Sequence, residues 1–307
     1  MKKNQELTII TAFFDIGRKD FKEFSRSNEQ YLKYFKFWAK IQNNIIVYTN
    51  RIMAKKVEEV RKEFGLLEKT KVVIINDFLK IEPQLYKEME KIANNETFLL
   101  YRYTDNPADN NAKYDYVMLL KSWCINDAVE KGYAVGQLAW VDFGFNHGGD
   151  LYSNSEEFDF LWKVNLPEDK ITLFSIKDDN QKQLFQIIQS YEVYIMGAIY
   201  FVPSKLAKQF WQDNKEAMLK LIEFGFIDDD QTLLLMISRT YKERYQVIKS
   251  DWFMPLKEFG GEHLTIRKKE NKKQTLKNKI ITKLRIIKRN YNCSKRLKKI
   301  FYKNTIE

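Results

Sequence analysis

The sequence predicts an α/β fold: a mixed, mainly parallel sheet sandwiched by helices, followed by a basic helical tail. Three observations carry this prediction. Short apolar runs rich in β-branched and aromatic residues alternate with longer helix-like stretches over residues 7–248. Several of those runs are apolar throughout, as in strands covered on both faces. The 307 residues are 44% hydrophobic and 15% aromatic, enough for a real core and too aromatic for a disordered chain.

The first strand is expected at 7–14 (LTIITAFF). Met-Lys-Lys precedes it, but the apolar run is short and ends in Asp15 without a small-residue cleavage pattern, so it reads as a strand rather than a signal segment. Ser27 suits the cap of a helix at 27–41. A strand at 44–49 (NIIVYT), a helix at 52–65, a strand at 71–76 (KVVIIN) and a helix at 79–94 follow. Residues 101–113 (YRYTDNPADNNAK) form a polar loop of the kind that covers a site. Beyond it come a helix at 114–131, a strand at 138–143, a helix at 156–163, a strand at 171–176 (ITLFSI), a helix at 181–190 and a strand at 193–202 (VYIMGAIYFV). Ser204, after Pro203, starts a helix at 204–223; a helix at 229–243 and a strand at 245–248 (YQVI) complete the body. The composition changes after Gly260-Gly261, which separates a body of 1–262 from a tail of 263–307. No stretch approaches the ~20 apolar residues that span a bilayer.

Charge divides the chain at the same place. Residues 264–307 hold 16 Lys and Arg against 2 Asp and Glu, a balance of +14, which leaves −3 for the rest of a chain whose net charge is +11. The basic character belongs to the tail, so the body is not a nucleic-acid surface. Within the tail, Leu276, Ile280, Leu284, Ile287 and Tyr291 form one helical stripe flanked by Lys and Arg. That pattern favours a helix lying on an anionic membrane surface over one bound to RNA or DNA, for which no base-reading motif is present. The two cysteines, Cys124 and Cys293, offer neither a disulfide framework nor a CxxC metal site, so a reducing cytoplasm is the default.

The stretch Leu138-Ala-Trp-Val-Asp-Phe-Gly-Phe-Asn holds the main candidate for chemistry. An apolar strand ends in Asp142, and a buried carboxylate there needs a cation or donors. Strand ends of this kind are where open α/β sheets bind ligands. Asp142 reads either as a strand-end cap or as a contact for a sugar or for Mg²⁺ or Mn²⁺ bridging a diphosphate. Asp228-Asp229-Asp230-Gln231 is a second acidic knot at a helix start. At least one of its acids serves the helix dipole, and the others are free to orient an acceptor or act as base. Lys121, embedded in apolar helical sequence, either snorkels or reaches a diphosphate. Arg18 and Lys19, just past the first strand, are similar candidates. His263, after the Gly pair, and His147, five residues past Asp142, are the histidines available to a metal.

Thr8-Ile-Ile-Thr-Ala-Phe-Phe-Asp-Ile-Gly-Arg, the polar loop leading to Lys121, Trp140-Val-Asp-Phe-Gly, Met196-Gly-Ala-Ile-Tyr-Phe and Asp229-Asp-Gln together resemble the bacterial HtrL/YibB (WlaTC/HtrL) family across roughly 7–255. That family looks like GT-A glycosyltransferases and is associated with lipopolysaccharide or capsule assembly. The resemblance implies a GT-A-like enzyme that moves a hexose-type sugar from a nucleotide-diphosphate sugar, a UDP-sugar first of all, to a surface-glycan acceptor. With the basic tail, the expected place of work is the cytoplasm, peripherally at the inner face of the cytoplasmic membrane. By position, Thr11, Ala12 and Phe13 would cradle the nucleoside, and Arg18 and Lys121 would meet the diphosphate. Asp142 would be the first acid of the Asp-x-Asp motif, and Asp229 and Asp230 would lie by the acceptor as catalytic residues, a base or a positioning group. The second acid of Asp-x-Asp is replaced by Gly144. Either Mn²⁺ or Mg²⁺ is then held by Asp142 with help from His263, or side chains such as Lys121 stand in for the metal. A nucleotidyltransferase and a non-catalytic binding protein are the rival readings, the former disfavoured by the lack of a P-loop.

Overall fold

The computed structural model describes residues 5–21, 25–102, 111–179 and 181–267, with isolated positions at 284, 287, 291, 294 and 295. Most of the polar loop expected at 101–113 and most of the basic tail lie outside the described residues. Of the tail's apolar stripe, Leu284, Ile287 and Tyr291 are described, and each is exposed.

Strands β1 (Gln5–Phe13), β2 (Ile45–Thr49), β3 (Thr70–Ile74) and β4 (Gln137–Val141) run parallel, in the order β3-β2-β1-β4. Short β5 (Lys163–Val164) pairs antiparallel with the first residues of β1. Beyond β4 lie β7 (Ile199–Pro203), β6 (Ile171–Ser175) and β8 (Tyr245–Lys249). Only β7 is reversed within this row: it is antiparallel to β4 and to β6, while β6 and β8 are parallel. This is the mixed, mainly parallel sheet that the sequence predicts. β2, β4 and β7 are buried at every position, which explains their unbroken apolar runs.

Helices cover both faces. One core layer joins the sheet to α3 (Pro83–Ala93), α5 (Ala112–Glu130), α7 (Ala207–Glu223) and α8 (Asp230–Thr240). The other joins it to α1 (Asn28–Trp38), α2 (Arg51–Glu63) and the segment after β4. Local sequence sets several helix starts. Ser27 caps α1 by accepting from Gln30 N at 3.2 Å, and Asp229 caps α8 by accepting from Gln231 N at 3.0 Å.

Two expected elements differ. In place of a helix at 156–163 there is a single 3₁₀ turn, Ser155–Phe158, and then extended chain. Buried Asn43 holds that chain open: its amide donates to Trp162 O (2.8 Å) and its carbonyl accepts from Trp162 N (2.7 Å), so both backbone groups are spent outside a helix. The strand expected at 193–202 starts only at Ile199, with an isolated bridge at Ile195 before it. Gly197 O turns instead to Lys121. The short helices α4 (Glu96–Tyr101), α6 (Leu184–Ser190) and α9 (Pro255–Glu258) complete the described fold; α4 and α9 were not expected.

Candidate active site

Asp142 follows directly on β4, and its backbone N–H donates to Ala198 O at 2.9 Å. Because β7 is reversed, residues 197 and 198 lead into it at the edge where β1 and β4 end. α5 packs on β1 and β4, and α8 packs on α5. Side chains from three segments and a backbone carbonyl from a fourth therefore converge on one strand end.

The Lys121 ammonium joins them. Its Nζ donates to Asp230 Oδ2 (2.8 Å) and Gly197 O (3.1 Å) and forms an ion pair with Asp142 Oδ1 (2.8 Å). Two carboxylates and a carbonyl oxygen thus surround the ammonium. Trp140 Nε1 donates to the same Asp142 Oδ1 at 2.8 Å. The side chains of Lys121 and Asp230 are 5% and 6% exposed, whereas Asp142 keeps 34%, so the network is sealed on one side and open at Asp142. Burial favours loss of the Lys121 proton, but Asp142 and Asp230 outweigh it and hold the pKa above lysine's ordinary value.

Asp142, Lys121 and Asp230 line a cavity of about 280 Å³. Water occupies ~30 Å³ per molecule, so this space takes an organic ligand rather than an isolated water. The wall is aromatic and cationic, with Phe13, Tyr31 and Tyr114 beside Arg18 and Arg26. Arg18 lies 5.4 Å over the Tyr114 ring; Arg26 lies 6.0 Å from the Tyr31 ring and 5.9 Å from that of Tyr34. His147 also lines the cavity. Its Nδ1 pairs with Asp150 Oδ2 at 2.9 Å, and its Nε2 faces Arg26 Nη1 at 3.4 Å. Asn146 and His147 both adopt positive φ (58° and 44°). Buried Asn146 holds this turn through bonds to Tyr152 O, Tyr152 N and Leu151 N.

Of the residues singled out in the sequence, Ala12, Phe13, Arg18, Lys121, Asp142, Gly144 and Asp230 line this cavity. Thr11 is fully buried within β1, outside the lining. Asp229 faces a separate small recess, where its Oδ2 accepts from Tyr191 OH at 3.2 Å. Burial, then Asp228 and Asp230, push its pKa well above the usual carboxylate range. Asp228 is paired with buried Arg102 at 2.8 Å and also accepts from Thr232 Oγ1 at 2.7 Å. His263 stands apart from the cavity: its Nε2 bonds to Glu157 O at 2.9 Å and its ring packs on Phe160. Arg26, Tyr31 and Tyr114 escaped the sequence reading. Arg26 sits among ordinary charged residues there, and no local pattern marks it.

The donors present do not fit the divalent metal that the resemblance implies. His263 is engaged elsewhere, and Asp142 and Asp230 already share an ammonium. Among the described residues no group of three or more His, Cys, Asp or Glu side chains is assembled to hold a metal. A second acid of Asp-x-Asp at position 144 would crowd Tyr31, because a Cβ there would lie 3.2 Å from Tyr31 Cε1 and the ring would have to give by a few tenths of an ångström.

A family model described as "Bacterial protein of unknown function (HtrL_YibB)" matches residues 5–261. The chain belongs to the HtrL/YibB family. Protein HtrL of Escherichia coli (strain K12) is 30% identical over 244 residues, covering 75% of this chain and 82% of its own. The HtrL/YibB match takes in every residue that lines the cavity and stops short of His263 and the tail. Similar solved structures include mouse xyloside xylosyltransferase 1 in its apo form, with a TM-score of 0.43 and 12% identity, covering 79% of this chain and 84% of that one. A glycosyltransferase involved in glycosylation of the major capsid of PBCV-1 has a TM-score of 0.38 and 13% identity, covering 80% and 82%.

Proposed function

We propose that this chain is a glycosyltransferase that moves a hexose-type sugar from a nucleotide-diphosphate sugar, a UDP-sugar first among the candidates, to a lipopolysaccharide, capsule or related surface-glycan acceptor. The observation that carries this reading is the half-open charge network at the floor of the cavity, with guanidinium groups and aromatic rings on its wall. A base stacks on rings such as Tyr31 and Tyr114. A diphosphate meets Arg18 and Arg26, whose forked donors suit phosphate oxygens. Lys121 contributes its charge from below, held there by Asp142 and Asp230.

In this reading the bond between the sugar's anomeric carbon and the diphosphate oxygen breaks, and its electron pair leaves with the diphosphate. Fixed positive charge from Arg18, Arg26 and Lys121 stabilises the negative charge that develops there. The acceptor hydroxyl oxygen forms the new bond to the anomeric carbon, and its proton passes to the departing diphosphate. Asp142 is the carboxylate that faces the sugar: Lys121 and Trp140 both bond its Oδ1, which leaves Oδ2 on the open side. Asp230 holds Lys121, and Asp229 caps α8.

The tail supports work at the inner face of the cytoplasmic membrane through its +14 charge and its apolar stripe. No helix among the described residues is long and apolar enough to cross a membrane.

The test is a thermal-shift screen of nucleotide sugars followed by donor hydrolysis without acceptor. Stabilisation by one donor with release of free sugar is expected. Release of pyrophosphate would identify a nucleotidyltransferase instead, and binding without turnover would identify a binding protein.

A further inference from the structure

We infer that Lys121 is the resident cation of this site, occupying an oxygen cage that would otherwise take a divalent metal, so that the protein binds its ligand without one. The inference builds on the cavity to which donor binding is assigned above, but its metal test stands whatever the donor proves to be.

The cage is complete. Asp142 Oδ1, Asp230 Oδ2 and Gly197 O all approach Nζ within 3.1 Å, so three oxygens enclose the ammonium. These are hard oxygen ligands of the kind that Mg²⁺ and Mn²⁺ prefer. Two carboxylates facing each other in a buried site repel unless a cation lies between them, and here the cation is covalently part of α5. The approach is closely fitted, because a Cβ on Gly197 would lie 2.2 Å from Asp230 Oδ2. The neighbouring position from which an Asp-x-Asp site draws its second acid is Gly144, packed under the Tyr31 ring. The absence of the second acid and the presence of the lysine are thus two sides of one arrangement. A metal entering the cage must displace a buried ammonium from two carboxylates, and its second acid is missing.

Removing the ammonium should therefore create a metal site at this position. Lys121→Ala leaves two carboxylates and a carbonyl oxygen directed at the vacated volume, together with space for water ligands. Isothermal titration with Mn²⁺ alone, and the loss of the free Mn²⁺ electron-spin signal, read the outcome without any activity. The full-length chain should take up no Mn²⁺ at millimolar concentration. Lys121→Ala should bind one Mn²⁺ per chain, and Lys121→Ala/Asp142→Asn should lose it again. Stoichiometric uptake by the native chain that Asp142→Asn abolishes would overturn the inference, as would a folded Lys121→Ala that takes up none. If Lys121→Ala does not fold, the native titration and its Asp142→Asn control still decide the matter. In parallel, thermal stabilisation by UDP should be unchanged by a chelator. UDP that stabilises only with Mn²⁺ present counts against the inference, whereas UDP without effect in either condition counts against the donor reading and leaves the Mn²⁺ result in force.

Discussion

Gly197 and Asp230 fit so closely that a single added carbon on the glycine would lie 2.2 Å from Asp230 Oδ2, the oxygen that accepts from Lys121. Gly197→Ala must push Asp230 away and loosen the ammonium. Overpacking of this kind costs about 1–3 kcal/mol. A lower urea midpoint and a larger loss of transfer are expected. A variant with native stability and native turnover would show that the contact is slack.

Asp142→Asn keeps the shape of the side chain and removes its charge. Asp142 is one-third exposed, so the fold should survive, as near-native circular dichroism would show. Transfer should fall by roughly 10²-fold or more, the usual scale for a lost group that stabilises charge in the reacting complex. Normal turnover with donor near its Michaelis constant would sink the assignment.

Asp228 should behave in the opposite way. Its carboxylate and the Arg102 guanidinium are 2% and 0% exposed. Asp228→Asn removes the carboxylate charge that faces a buried arginine, and breaking such a pair costs roughly 3–5 kcal/mol. The denaturant midpoint should drop far more than for Asp142→Asn. Equal midpoints for the two variants would mean that the pair contributes nothing to stability.

The ammonium has a pH signature. Its pKa is raised above the ordinary 10.5, so the folded chain keeps the proton after the unfolded chain has begun to lose it. The stability it contributes is complete below 10.5 and is lost as pH rises towards its raised value. Buried tyrosines titrate on the same side, so the comparison is with Lys121→Met, whose alkaline decline should be shallower. Parallel curves of urea midpoint against pH would contradict this.

Deleting residues 268–307, which spares the buried Leu264 and the Ile266 bridge to Tyr152, should release the protein from vesicles containing anionic phosphatidylglycerol while leaving transfer to a soluble acceptor intact. Each basic residue near such a surface contributes about 1 kcal/mol, so the release should be complete and the native binding should weaken with salt. Unchanged sedimentation with vesicles would refute a membrane role for the tail.

The sheet was legible because its strands are buried on both faces and therefore apolar throughout, as in IIVYT of β2 and LAWV in β4. The cap residues Ser27 and Asp229 act locally, and both were readable for that reason. Asn43 was not, since it bonds to Trp162, 119 residues away, and there replaces the helix that the local sequence favours. The acidic knot shows the same limit. Three neighbouring aspartates look equivalent in sequence, yet one pairs with Arg102, one caps a helix and one holds Lys121. Only the partners, each brought from a distant segment, tell them apart. Arg26 joins the cavity through the fold alone.

The convergence on Lys121 also determines when the site comes into being. Its contacts with Gly197 and Asp230 close loops of 76 and 109 residues, and such long-range closures come late and slowly in folding. A nascent chain that has emerged only as far as β4 carries Lys121 and Asp142 but neither of the other two acceptors. Ligand-binding competence should therefore appear together with the final native packing of the sheet, and a partly folded chain would have no half-active form.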